Sequence, residues 1–189
     1  MNSEVVQIGG QVWMAENLNV SHFVNGDPVP EVKTDEEWKE YGENGKPAWC
    51  YYNNELDNEK IYGKLYNWYA IADKRGLALM GWHIPSDKEW TRLIDHLGGN
   101  TLAGEKIQST NKMEKGLKAI YQIGFNALPG GCRKSKGGFN YHGTCGFWWS
   151  STESVPDNAW SRYMYFTNND VNRGGFNKKS GFSVRCVRD

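Results

Sequence analysis

Residues 125–186 open on FNALPGG (Phe125–Gly131), reach FWWSSTE (Phe147–Glu153) at their middle and close on GFSVRC (Gly181–Cys186). The stretches Cys132 to Phe147 and Asn158 to Phe176 are instead rich in Gly, Asn, Ser and scattered aromatics. Bulky apolar words thus alternate with runs that lack the material for a core. Such a text describes a rigid scaffold that displays an irregular surface, and it points to binding rather than turnover. Short strands separated by long loops are expected at 125–128, 147–151, 159–166 and 181–187.

Working outward, the segment Gly81–Trp90 reads GWHIPSDKEW. Pro85 disfavours helix for the residue before it. Ser86 is then an N-cap and Glu89 closes a capping box. Trp90, Leu93, Ile94 and Leu97 share one apolar face, and Gly98-Gly99 ends the helix. His83, just before it, reads as a packed, hydrogen-bonded residue. Thr34 and Glu37 form a second box, for a short helix ending near Gly42. Leu65, Trp68, Tyr69 and Ala72 have helical spacing, which predicts a helix over 62–73 stopped by Gly76. Val5, Ile8, Val12 and Trp13 around Gly9-Gly10 predict a β-hairpin, and the Gly- and Pro-bearing residues 21–33 a loop. Short turns or strands are expected at 103–109 and 117–123. The sum is an α+β domain spanning 1–189, with helices early and an irregular sheet late.

The 189 residues carry 22 Lys and Arg against 22 Asp and Glu. No basic stripe is visible, so no nucleic-acid partner is expected. Mean hydropathy is -0.71, and no apolar run approaches the ~18 residues of a membrane span. The first residues, MNSEVVQIGG, lack the basic and apolar regions of a signal peptide. The aromatic content of 14% suits both cores and binding faces, because rigid rings cover area at low entropic cost. Cys50, Cys132, Cys145 and Cys186 have no zinc-type spacing and are expected to be free, buried thiols; no metal site is assigned.

The late segments have the composition of an antibody paratope. Phe139, Tyr141, Phe147, Tyr163, Tyr165, Phe166 and Phe176 are candidate anchors. Ser135, Asn140, His142, Asn158, Ser161, Asn168, Asn169, Asn172 and Arg173 are candidate hydrogen-bonding contacts, and Cys132 and Cys145 are further candidate ligand contacts. Trp148, Trp149, Trp160 and Arg162 read as framework. Hydrolase and phosphate-loop motifs are absent. Pro156-Asp157-Asn158 reads as a turn rather than a lectin sugar motif. Asp157 and Asp170 are candidate oxygens for a structural calcium ion, too few for the roughly six a full site takes.

VWMAENLN (Val12–Asn19), YGKLYNW (Tyr62–Trp68), GWHIPSDKEW, GFNALPGG (Gly124–Gly131), WWSSTE (Trp148–Glu153) and GFSVRCVRD (Gly181–Asp189) together resemble the Fibrobacter succinogenes major paralogous domain family. The resemblance covers nearly the whole chain. It implies a C-type lectin-like fold, related to formylglycine-generating enzymes, with two main helices flanking a small mixed antiparallel sheet with long loops. It also implies a surface-exposed, extracellular or phage-associated module that binds a protein or glycan without a cofactor. Three positions depart from the family's usual residues: Cys132, Cys145 and Ser161. With the composition of region 132–177, they suggest similarity to the variable proteins of diversity-generating retroelements, which display a diversified face on this fold. The alternative is a non-diversified adhesin or carbohydrate-binding module. A copper oxidase built on the late thiols ranks third.

Overall fold

The computed structural model describes residues 4–108, 123–168 and 170–189. Strands β1 (Val5–Ile8) and β2 (Gln11–Met14) form the expected hairpin, with Ile8 opposite Gln11. Helix α1 (Asp35–Glu43) starts at its capping box: Glu37 N donates to Thr34 Oγ1 at 3.2 Å, and the Glu37 carboxylate accepts from the Thr34 backbone. Short elements follow: β3 (Trp49–Cys50), α2 (Glu59–Tyr62), β4 (Leu65–Tyr66), α3 (Trp68–Ile71) and β5 (Trp82–His83). Helices α4 (Asp87–His96) and α5 (Asn100–Ile107) lead to β6 (Gly130–Arg133), β7 (Phe139–His142), β8 (Cys145–Val155), β9 (Asn158–Tyr165), β10 (Val171–Asn177) and β11 (Val187–Arg188).

The architecture is mixed α and β, with few helices and small sheets. One sheet has the order β1-β2-β11-β5, so the last strand lies between the hairpin and β5. The larger sheet has the order β10-β9-β8-β6-β7; β6 and β8 run parallel and its other pairs antiparallel. β3 and β4 pair alone. No helix among the described residues is long and apolar enough to cross a membrane.

Strand alternation makes β8 and β9 the wall between two cores. Trp148, Met164 and Val171 face a core built with Trp13, Trp90, Leu93, Ile94 and Phe125. Trp149, Phe147 and Cys145 face the other, with Tyr66, Phe182 and Val184. The sequence words converge at this wall. Trp148 Nε1 donates to Asn17 Oδ1 at 2.9 Å, and Arg185 donates to the same oxygen through Nη2 at 2.9 Å. Trp149 Nε1 donates to the Tyr66 carbonyl at 2.9 Å, and Trp90 Nε1 to the Trp149 carbonyl at 3.3 Å. The separated motifs are therefore one polar lattice threaded through an aromatic core. In the LPGG word, Gly131 has φ +68°, and a Cβ there would lie 2.6 Å from the Asn140 carbonyl. Only glycine fits both the torsion and the close approach of β7.

Helix α4 carries the predicted cap and face, with Trp90, Leu93, Ile94 and Leu97 buried. His83 is hydrogen-bonded, as expected: Nδ1 lies 2.7 Å from Asp189 and Nε2 2.8 Å from Glu89. Partial burial disfavours its charge, but hydrogen bonds to the two carboxylates outweigh this and raise its pKa above the ordinary value. A raised basic group stabilises the fold fully below its unfolded-state pKa, about 6.5, and loses that contribution as pH rises through the folded value. Thermal melts across this window should show wild type losing stability on the alkaline side and His83→Gln losing less. Parallel profiles for the two proteins would overturn the assignment.

Five expectations are corrected. Residues 62–73 are not one helix: Leu65 and Tyr66 are strand, and only 68–71 are helical. Tyr66 N donates to the Phe182 carbonyl, and Asn67 Oδ1 accepts from Ala48 N and Ala70 N, so distant partners take the backbone. Residues 64–68 are buried throughout, so the segment has no solvent face. Residues 103–107 are helix rather than turn or strand, capped by Gly99. The 125–128 strand is displaced to β6, leaving only a single bridge at Ala127, and the 181–187 strand shrinks to β11 plus bridges at Gly181, Phe182 and Ser183. The presumed display loops contain ordered strands, β7 and β10. The expectation at 117–122 lies outside the described residues.

Candidate functional site: an aromatic cleft on the larger sheet

The alternation that buries Trp148 on one side of β8 turns Phe147 to the other. There Phe147 is in register with Tyr163 of β9, and Cys145 with Tyr165. A ladder of rings runs outward from the core. Trp149 stacks on Phe182 at 4.3 Å between centroids, Phe182 on Phe147 at 4.9 Å, and Phe147 on Tyr163 at 5.8 Å. Phe176 of β10 meets Tyr163 edge-on at 5.6 Å. Its ring lies over Gly174, where a Cβ would come within 2.6 Å of it. Tyr165 and Tyr141 close the ladder at 6.2 Å.

These rings line an open cleft of about 460 Å³ with Cys132, Arg133, Lys134, Ser135, Asn140 and Ser180. A concave, mainly apolar site with a few polar groups is the usual form of a binding pocket. Tyr141 is 45% exposed at the mouth and has φ +67°, a left-handed torsion rare for an aromatic residue. Strained backbone of this kind clusters at ligand sites. The Gly143 N–H donates to the Pro129 carbonyl, and the Thr144 N–H and Oγ1 to the Tyr141 carbonyl, which hold the turn that presents it.

The cleft gathers Cys132, Ser135, Tyr141, Phe147, Tyr163 and Tyr165 of the predicted site residues, with Asn140 and Phe176. Others lie elsewhere. Cys145 and Ser161 are fully buried beneath the surface, and Cys132 and Phe147 nearly so, forming the floor. Phe139 and His142 pack on Tyr52, at 5.2 and 4.6 Å, on the flank of β7. Arg173 points to the opposite face of β10, where it lies over Trp160 and binds Asp87. Asn158 and Asn168 stand at opposite ends of β9, and Asn172 pairs in register with Tyr163. Asn169 lies outside the described residues. Lys134 and Ser180 were missed. Lys134 had a faint signal, two residues from Cys132. Ser180 had none, because the Arg133–Gly181 bridge brings it in.

Burial pushes the Cys132 thiol up to about 11 and the Cys145 thiol up to about 12. Asp157 and Asp170 flank β9 at opposite ends, on the order of 25 Å apart at strand rise, so they do not share one ion. Among the described residues no three His, Cys, Asp or Glu side chains converge on one point. A second cleft of about 460 Å³ is lined by Glu16, Asn17, Asn19, Glu59 and Asn126. Its Asn17 and Glu59 oxygens already accept from Arg185, Trp148, Asn19 and Lys64, so they serve the scaffold.

Compared with known proteins, the chain matches the model of the Fibrobacter succinogenes major domain over residues 6–188. Comparisons with curated proteins and with solved structures give no match.

Proposed function

The chain belongs to the Fibrobacter succinogenes major domain family, and on that premise we propose that it is a non-catalytic ligand-binding module whose contact surface is the aromatic cleft. The observation that carries this is the ring ladder, which begins in the core and ends in half-exposed tyrosines around an open cavity. Rings anchored from behind lose little entropy on binding, the property that makes aromatic paratopes effective. We read the scaffold as C-type lectin-like. The last strand, β11, joins the sheet of the N-terminal hairpin by pairing with β2, while the ligand face lies on another sheet, and this supports that reading.

Protein-observed NMR with a panel of small aromatic, peptide and glycoside fragments tests the binding reading. Binders should shift resonances of Tyr163, Tyr165 and Phe176, and Tyr163→Ala should weaken them by about 2 kcal/mol while leaving the circular dichroism spectrum intact. A panel with no binder at these residues sinks the proposal.

The retroelement reading concerns the origin of the same face. Tyr141, Tyr163, Tyr165, Ser135 and Asn140 are types reachable by adenine rewriting, and all line the cleft. Cys132, Cys145 and Ser161, the departures from the family, are buried and so do not by themselves mark a display surface. Sibling loci should differ mainly at cleft-lining codons between 132 and 177. Differences spread evenly along the gene would leave an ordinary adhesin.

A further inference from the structure

The chain is neutral overall, but its charge is unevenly placed. Residues 123–189 hold nine Lys and Arg against four Asp and Glu. No Asp or Glu is among the residues lining the aromatic cleft. Arg133 is a fully buried part of the lining; its terminal nitrogens donate to the Val32, Lys33 and Thr34 carbonyls and the Asp35 carboxylate, and its Nε has no partner among the described residues. Lys134 differs. It is exposed at the rim, with Nζ 3.1 Å from the Asn140 side-chain amide when that amide presents its oxygen. Among the described residues neither Lys134 nor its neighbour Lys136 enters an ion pair. An unpaired ammonium therefore stands beside an apolar floor, where reduced solvent strengthens attraction to an anion.

The edge of the sheet adds a second element. β7 pairs with β6 alone and is one of the sheet's two edges, bringing Tyr141 to the cleft mouth. A peptide backbone can pair with such an edge, an opportunity that neither a sugar nor a small organic acid can use.

Resting on the binding reading above, we propose that the cleft receives an acidic peptide segment of a protein partner. A bulky apolar side chain sits on Phe147, Phe176 and Phe182, and a neighbouring carboxylate meets Lys134. The cation then selects among apolar sequences rather than supplying most of the affinity.

The test uses the full chain and two capped tetrapeptides, one with tryptophan followed by aspartate and its twin with asparagine in that place, titrated by calorimetry and NMR. The aspartate peptide should bind about fivefold more tightly, near the upper worth of a partly exposed ion pair. Lys134→Gln should erase the preference between the two peptides, and added salt should reduce it in the unaltered protein. Equal binding of the two peptides overturns the acidic preference and leaves the cleft a binding site. If fragments of the panel bind the cleft but neither peptide does, a peptide ligand is overturned while the binding reading stands. If nothing binds there, both fail.

Discussion

Replacing Asp87 with alanine is expected to remove about 3–5 kcal/mol of stability, measured by urea unfolding, because it strands a buried arginine. Asp87 is the first residue of α4. Its carboxylate accepts from Arg162 Nη1 at 2.6 Å and from Arg173 Nε and Nη2 at 3.0 and 2.9 Å. Arg162 is 2% exposed, lies on β9, and also donates to the Asp87 carbonyl and Thr91 Oγ1. Burial opposes the Asp87 charge, but the hydrogen bonds to Arg173 and Arg162 outweigh it and hold the pKa below the usual carboxylate value. By linkage, this stability is present above the unfolded-state pKa, about 4, and is lost as pH falls through the lowered folded value. Removing both charges should be gentler than removing one: Asp87→Leu with Arg162→Met should recover most of the loss. A single-variant loss below about 1 kcal/mol would show that Arg162 finds other partners or solvent.

The second large effect is expected at Asn17. Its Oδ1 accepts from Trp148 Nε1 and from Arg185 Nε and Nη2, and its Nδ2 donates to the Tyr62 carbonyl. Arg185 is 1% exposed and has no carboxylate partner among the described residues; its remaining acceptors are the Met14, Phe125 and Asn126 carbonyls. Burial pushes its pKa down, a sign of how poorly the site solvates the charge. Asn17→Leu keeps the volume roughly and removes the shared acceptor, leaving a guanidinium and an indole N–H short of partners. The expected loss is about 3 kcal/mol or more. Asn17→Asp, which keeps an acceptor and adds a counter-charge, should be far milder. Similar losses in the two variants would mean that packing at Asn17, rather than its oxygen, carries the effect.

Much of the scaffold was legible because its rules are local. A capping box needs residues three apart, and both boxes formed. The pair Trp148-Trp149 reads as framework on hydrophobicity alone, and strand alternation sends the two rings into separate cores. The hairpin around Gly9-Gly10 follows from glycine's tolerance of positive φ. The site was only half legible. Its tyrosines could be picked by composition, but composition does not say which face a residue takes. Phe139, His142 and Arg173 have the right chemistry and point away from the cleft.

The sequence by itself determined the two capping-box helix starts, the hairpin, the aromatic framework and the family, all properties of residues within a few positions of one another or of ordered words. Tertiary structure alone decided where the backbone of 62–73 found its partners, which late segments became strands, and which rings were left at the surface. Tyr66 is drawn out of a helix by Phe182, far along the chain, and Ser180 reaches the cleft through the Arg133–Gly181 bridge. The physical reason is that local preferences are worth a few tenths of a kcal/mol per residue. Buried backbone groups and whole aromatic side chains are worth several times that, and their partners are chosen by the packed fold.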